Sequence, residues 1–191
     1  AHSFTASNRE AIRLQVTAVG YDEATAVDDI YGAFAVARND VMLYDDALEM
    51  LSSLKQKGLL IGTITNGNAD ATKIRGLCDV ISFAVDAHQA GAAKPKPAVF
   101  HLALARAAEV GDGSVIEPDE CVHVGDDLIS DVLGAQGVGF RTIHFLPESR
   151  RAKALLEAER EVSNRPAREP PDATVATLSA IVDVLAVWDA E

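Results

Sequence analysis

Two cysteines in 191 residues, Cys78 and Cys121, share no Cys-x-x-Cys spacing. That excludes a disulfide framework and a four-thiolate zinc cluster, and it points to the cytoplasm or another reducing compartment. Basic charge is scarce too: 17 Lys and Arg stand against 29 Asp and Glu, for a net charge of −12. That balance argues against a general binder of nucleic acid or of anionic membranes. It leaves open an anionic small molecule, whose binding depends on local charge. No apolar run approaches the roughly 20 residues of a membrane span. The opening AHSFTASNRE has neither an initiator Met nor an apolar secretory core, and it begins close to a helical pattern. The expectation is a chain cut from a longer one. What the chain has in quantity is core material. At 48% hydrophobic it suits one ordinary domain, or one domain with a small cap, and not a disordered segment.

Two textures follow one another. Residues 7–39 read as two helices. Ile12, Val16 and Val19 recur at spacings of four and three until Gly20, and after Asp22, a candidate cap, come Val27, Ile30, Phe34 and Ala37. From about residue 44 helix and strand patterns alternate. Asp45 or Asp46 caps a helix with Leu48, Leu51 and Leu54 on one side. The apolar runs 59–64 (LLIGTI) and 80–85 read as buried parallel strands. Pro97 opens a helix, 121–125 is a strand, 128–136 a helix and 140–145 another strand. The charged insert 147–172 reads as a solvated helix and a Pro-rich loop, and 178–188 as a closing amphipathic helix. The alternation predicts an α/β fold with a parallel sheet, whose ligands bind at the carboxyl ends of the strands.

Three such ends carry unusual residues: Thr65-Asn66-Gly67-Asn68, the loop Gly91-Ala-Ala-Lys94-Pro95-Lys96-Pro97, and Gly125-Asp126-Asp127 with Asp131 one helical turn on. Each has an ordinary explanation. The first can be a strand-to-helix turn, with Gly67 at positive φ and Asn68 as a cap. Lys94 can be a surface lysine, and the acidic pair can cap a helix. Each also has a chemical one. A hydroxyl and free N–H groups can face an anion, a lysine held between glycine and proline is a fixed positive charge, and carboxylates suit a hard cation. Thr65, Lys94 and Asp126 are each separated by enough chain for a helix and a strand, so all three can meet at one sheet edge. A hydroxyl, a lysine and an acid-bound cation around one anion form a phosphoryl-transfer site. His123, His88 and His101 carry no metal-ligand spacing; His123 reads as a packed side chain. The Gly-x-x-Gly-x-Gly at 134–139 ends a helix instead of following a strand, so it does not read as a dinucleotide fingerprint. A phospho-receiver domain has its acidic residues before the Thr and Lys, the reverse of the order here.

ITNGN, GAAKPKPAVF and HVGDDLISDVLGAQGVGFRTI resemble the second, third and fourth motifs of the haloacid dehalogenase-like hydrolases, over residues 44–145. The resemblance implies a Rossmann-like core and a Mg²⁺-dependent phosphatase acting through an aspartyl-phosphate on a small phosphorylated metabolite. By the same resemblance Thr65 and Asn66 bind the phosphoryl group and Lys94 neutralises it. Asp126 binds Mg²⁺ with Asp127 as a further contributor, and Asp131 holds the lysine or a metal-bound water. Residues 1–43 resemble the remainder of the family's helical cap, ahead of a core at 44–191. The Asn-Gly-Asn-Ala-Asp text and His-Val-Gly-Asp-Asp together are most similar to the subgroup that includes the flavin-pathway pyrimidine phosphatases. The family's first motif, Asp-x-Asp-x-Thr after an apolar strand, occurs nowhere in the chain. The expectations are therefore a chain without the nucleophile, inactive alone, or a phosphate- and metal-binding protein that has lost catalysis.

Overall fold

The structure, a computed structural model, describes residues 4–67, 69–150 and 169–190. Helices α1 (Phe4–Ala18) and α2 (Glu23–Asn39) form a hairpin. Gly20 turns the chain at φ 78°, a value that costs glycine nothing, and the Asp22 carboxylate caps α2 through Thr25 N at 3.3 Å. Val16 is buried, while Leu14, Ile30, Phe34 and Val36 remain exposed. An Arg9–Asp28 ion pair joins the two helices, and the Arg9 guanidinium lies 5.0 Å from the centre of the Tyr31 ring.

Helix α3 (Ala47–Gln56) opens the α/β body; Asp46 sits at its cap position but its carboxylate makes no capping bond. Strand β1 (Gly62–Thr65) starts later than its apolar run suggests. Gly58 takes φ 87°, and Leu59 and Leu60 stay nearly half exposed on the approach. Likewise 77–80 is a single helical turn, α4 (Leu77–Val80), set off by Gly76 at φ 78°, and β2 begins only at Phe83 (Phe83–Asp86). Helix α5 (Pro97–Val110), strand β3 (Val122–Gly125) and strand β4 (Arg141–Phe145) fall within a residue of their expected places. Between β3 and β4 the helix opens with wide π-type turns (Leu128–Leu133) and closes as α6 (Gly134–Gln136). Strand β5 (Ala173–Val175) has no apolar run long enough to announce it, and α7 (Ser179–Trp188) ends the fold. Most of the charged insert, residues 151–168, lies outside the described residues, and with it the expected solvated helix.

All strand pairs are parallel, but among the described residues the strands form two sheets, β1–β2 and β3–β4–β5. β1 and β3 do not pair with each other. The Thr65 carbonyl accepts from Ala87 N on the β2 side. Successive carbonyls of a strand point to opposite edges, so those of Gly62 and Ile64 face away from β2. By the same alternation the Cys121 carbonyl bonds Arg141 N on the β4 side and leaves Val122 and Val124 facing the open edge. Helix packing joins the halves. Phe100, Val99 and Ala103 of α5 pack with Val85 of β2 and with Ala135 and Phe140, and Ile64 and Cys121 lie against the same cluster. A second cluster sets Ile143 and Val175 against Ile181 of α7 and Met50 of α3. Among the described residues no helix is long and apolar enough to cross a membrane.

Phe100 is fully buried and contacts Phe140 and His123 edge-on at 5.9 and 5.4 Å. Phe100→Ala should therefore cost about 3–5 kcal/mol and loosen the junction of the two sheets. Urea unfolding of both proteins checks this; a loss below about 1 kcal/mol would place the junction elsewhere.

Candidate active site

Lys94 lies in the loop between β2 and α5, and its backbone is gripped by one side chain. Asn66 Oδ1 accepts from Lys94 N at 2.7 Å and Asn66 Nδ2 donates to Lys94 O at 3.0 Å. The amide of Asn66 thus ties the loop after β1 to the lysine loop. The Lys94 ammonium donates to Ile64 O on the open edge of β1 at 2.9 Å and to Asp131 Oδ1 at 2.6 Å. It therefore reaches from one sheet to the helix that follows the other.

Asp131 is accommodated by a missing side chain. A Cβ added to Gly125 would fall 2.3 Å from Asp131 Cγ, so only glycine fits there. Asp131 is buried and fully engaged: Oδ1 takes Lys94 and lies 3.3 Å from His123 Nε2, and Oδ2 accepts Asp127 N at 3.0 Å. Burial opposes its ionisation. Hydrogen bonds from His123 and Lys94, the Lys94 charge and the Asp127 amide outweigh it and hold the carboxyl far below the ordinary carboxylate range.

The Thr65 hydroxyl ends β1 and accepts from Gly67 N at 2.9 Å. Gly67 does not take the positive φ expected of it. Space is its reason: an added Cβ would lie 3.2 Å from Thr65 Oγ1 and 3.5 Å from an Arg38 guanidinium nitrogen. Asn68 lies outside the described residues. Asp127 is a helix cap, its Oδ1 accepting from Ile129 N at 3.0 Å and Ser130 N at 2.6 Å. Asp126 is half-exposed and its carboxylate is ion-paired with Arg150. Its carbonyl lies 3.3 Å from Nε2 of the buried His144. Burial lowers the pKa of His144 against the charges of Asp131 and Asp127.

Asn66, Lys94 and Asp131 thus form one hydrogen-bonded group across both sheets, with Thr65 next to Asn66 at the end of β1 and Asp126 and Asp127 at the end of β3. His123 joins through Asp131. Its position two residues before Gly125 on the same strand face was the available signal. Nothing local marked Ile64 O or Arg150 as partners. Among the described residues no three His, Cys, Asp or Glu side chains are gathered as a metal cage. The donor chemistry of Asp126 is nonetheless that of a hard-cation ligand, since one or two carboxylates are the usual protein share of a Mg²⁺ site, and a bound cation would displace the guanidinium of Arg150 from its oxygens.

A carboxyl held below its unfolded value contributes stability above that value, about 3.9, and loses it as pH falls further. Asp131→Asn should therefore lower stability at pH 7, by about 3–5 kcal/mol if Lys94 is left buried and unpaired. It should also flatten the loss of stability between about pH 5 and 3. Urea midpoints across that range measure both; an unchanged acid slope would mean that Asp131 is not the coupled group.

The haloacid dehalogenase-like hydrolase family model matches residues 3–139. The ribulose-1,5-bisphosphate 5-phosphatase of Halopiger xanaduensis is 29% identical over 93% of this chain and 70% of its own length. The phosphoserine phosphatase of Thermus thermophilus is 30% identical over 58% of the chain and 43% of its own length. The chain thus spans 70% of the first of these relatives and less than half of the second. Among solved structures, a 2-haloacid dehalogenase from Pseudomonas syringae pv. Tomato superposes with a TM-score of 0.78 at 32% identity, covering 98% of this chain and 73% of that one. The parallel strands, the strand-end residues and a family match over most of the chain agree, and the chain belongs to the haloacid dehalogenase-like hydrolases.

Proposed function

We propose that the chain carries the phosphate- and cation-binding parts of a Mg²⁺-dependent phosphatase acting on a small phosphorylated metabolite. The connection Asn66–Lys94–Asp131 carries this reading, since it fixes an ammonium on the carbonyl of Ile64, the residue before Thr65, at the end of β1. Two relatives of this chain are phosphatases by name. Residues 1–43 act as the remainder of a helical cap over a core at 44–191.

In this mechanism Thr65 and the backbone amide of Asn66 bind the phosphoryl oxygens. Lys94 neutralises charge on the phosphoryl group, and Asp131 aims the ammonium. Asp126 would hold Mg²⁺, with Asp127 as a further contributor, and the cation would supply charge stabilisation at the transferring phosphoryl group. These residues bind and polarise. None is a nucleophile, and no Asp-x-Asp-x-Thr occurs in the chain. We therefore infer that an aspartyl-phosphate forms only when a strand carrying that motif lies between β1 and β3, where Gly62, Val122 and Val124 turn their carbonyls to the open edges. Phosphate and cation binding without turnover is the second reading, favoured by the missing motif.

The purified chain should release no phosphate from a phosphate monoester, and should gain Mg²⁺-dependent turnover when co-expressed with a segment bearing Asp-x-Asp-x-Thr. Binding of phosphate with no turnover in the paired protein favours the second reading. Turnover by the chain alone would show a nucleophile within it. Because the Pseudomonas neighbour is a dehalogenase by name, halide release from a 2-chloro acid is the control; release in place of phosphatase activity would overturn the proposal.

Asp126→Ala should abolish Mg²⁺ binding to the chain, measured by calorimetry. Undiminished binding would remove Asp126 from the cation site.

A further inference from the structure

The end of α2 is fastened to the loop that carries Thr65. Asn39 Oδ1 accepts from Asp70 N at 2.8 Å, and Asn39 Nδ2 donates back to Ala35 O at 3.1 Å. Arg38, the residue before it, is thereby brought against 65–67. A Cβ placed on Gly67 would lie 3.5 Å from a guanidinium nitrogen of Arg38 and 3.2 Å from the Thr65 hydroxyl. Both groups therefore border the space that the absent side chain leaves. Arg38 is exposed to solvent, and the Lys94 ammonium is buried against Asp131 and Ile64 O. The two cations therefore differ in place: one is built into the core, the other stands at the end of the helical hairpin beside the Thr65 loop. In a chain of net charge −12, a cation in this position is a local reversal of the field that an anionic ligand meets.

We propose that Arg38 is a substrate-binding residue whose guanidinium takes a second anionic group on the ester whose phosphoryl group lies at Thr65. The substrate class is then a phosphate monoester with a carboxylate or a second phosphate a few bonds away. A guanidinium presents paired N–H donors that match either oxyanion. This inference rests on the phosphatase reading above.

Calorimetry with three probes tests it: methyl phosphate, phosphoglycolate and 1,3-propanediol bisphosphate. Arg38→Gln should weaken the carboxylate or the bisphosphate probe by about tenfold and leave methyl phosphate within about twofold. The larger of the two losses identifies the second anion. Arg38→Lys, which keeps the charge without the fork, should fall between. Equal losses on all three probes, or none, would overturn the proposal. Lys94→Ala should remove binding of all three; if binding survives that change, the phosphatase reading fails, whatever Arg38 does. Because Arg38 is exposed, circular dichroism of Arg38→Gln should match the parent protein.

Discussion

The contact between Lys94 and Asp131 is the constraint around which the site is arranged. Both side chains are buried, 12% and 7% exposed. A buried ion pair is not in itself a source of stability, because desolvation takes back most of the Coulomb energy. What it supplies here is position. The ammonium needs further acceptors and finds Ile64 O; the carboxylate needs further donors and finds His123 and the Asp127 amide. Each added bond ties in another element. Gly125 is glycine because Asp131 occupies the space of its side chain, and Asn66 holds the lysine loop from the other sheet.

The pair also spans the break between the two sheets. A parallel sheet this small gains its cohesion from an unbroken ladder, yet the ladder stops at β1 and resumes at β3. Cohesion falls instead to side chains. Phe100 and its neighbours on α5 touch both halves, and Lys94 caps one of the open carbonyls. Unpaired backbone groups in a protein interior cost about 1–3 kcal/mol each, so a strand added between the halves would satisfy several at once. That is the physical reason why a further strand would pair at this place rather than elsewhere on the surface.

Relatives of the same fold bear the names of phosphatases and of a dehalogenase, so fold membership leaves the reaction open. The distinguishing chemistry lies in individual strand-end residues. Asp126 pairs with Arg150, while Asp127, next to it in sequence, caps a helix. Adjacent carboxylates with like sequence signals thus have unlike tasks, set by which one points along the helix axis.

The α/β class, the helix from Pro97, the paired amino-terminal helices and the gathering of strand-end residues were legible in the sequence. Hydrophobic period and turn chemistry are local properties, and parallel topology orders the strand ends. Strand starts at β1 and β2 were legible only to within a few residues, because Leu59 and Leu60 are apolar without being buried and nothing nearby says so. β5 was not legible at all, since three residues carry no period. Only the tertiary structure decided that Gly67 yields space instead of a turn, that Asp126 pairs with Arg150 while Asp127 caps a helix, and that Arg38 borders the Thr65 loop. Each of these depends on contacts between residues far apart in the chain, and the distance from a side chain to a partner in another element is not encoded in the spacing of either.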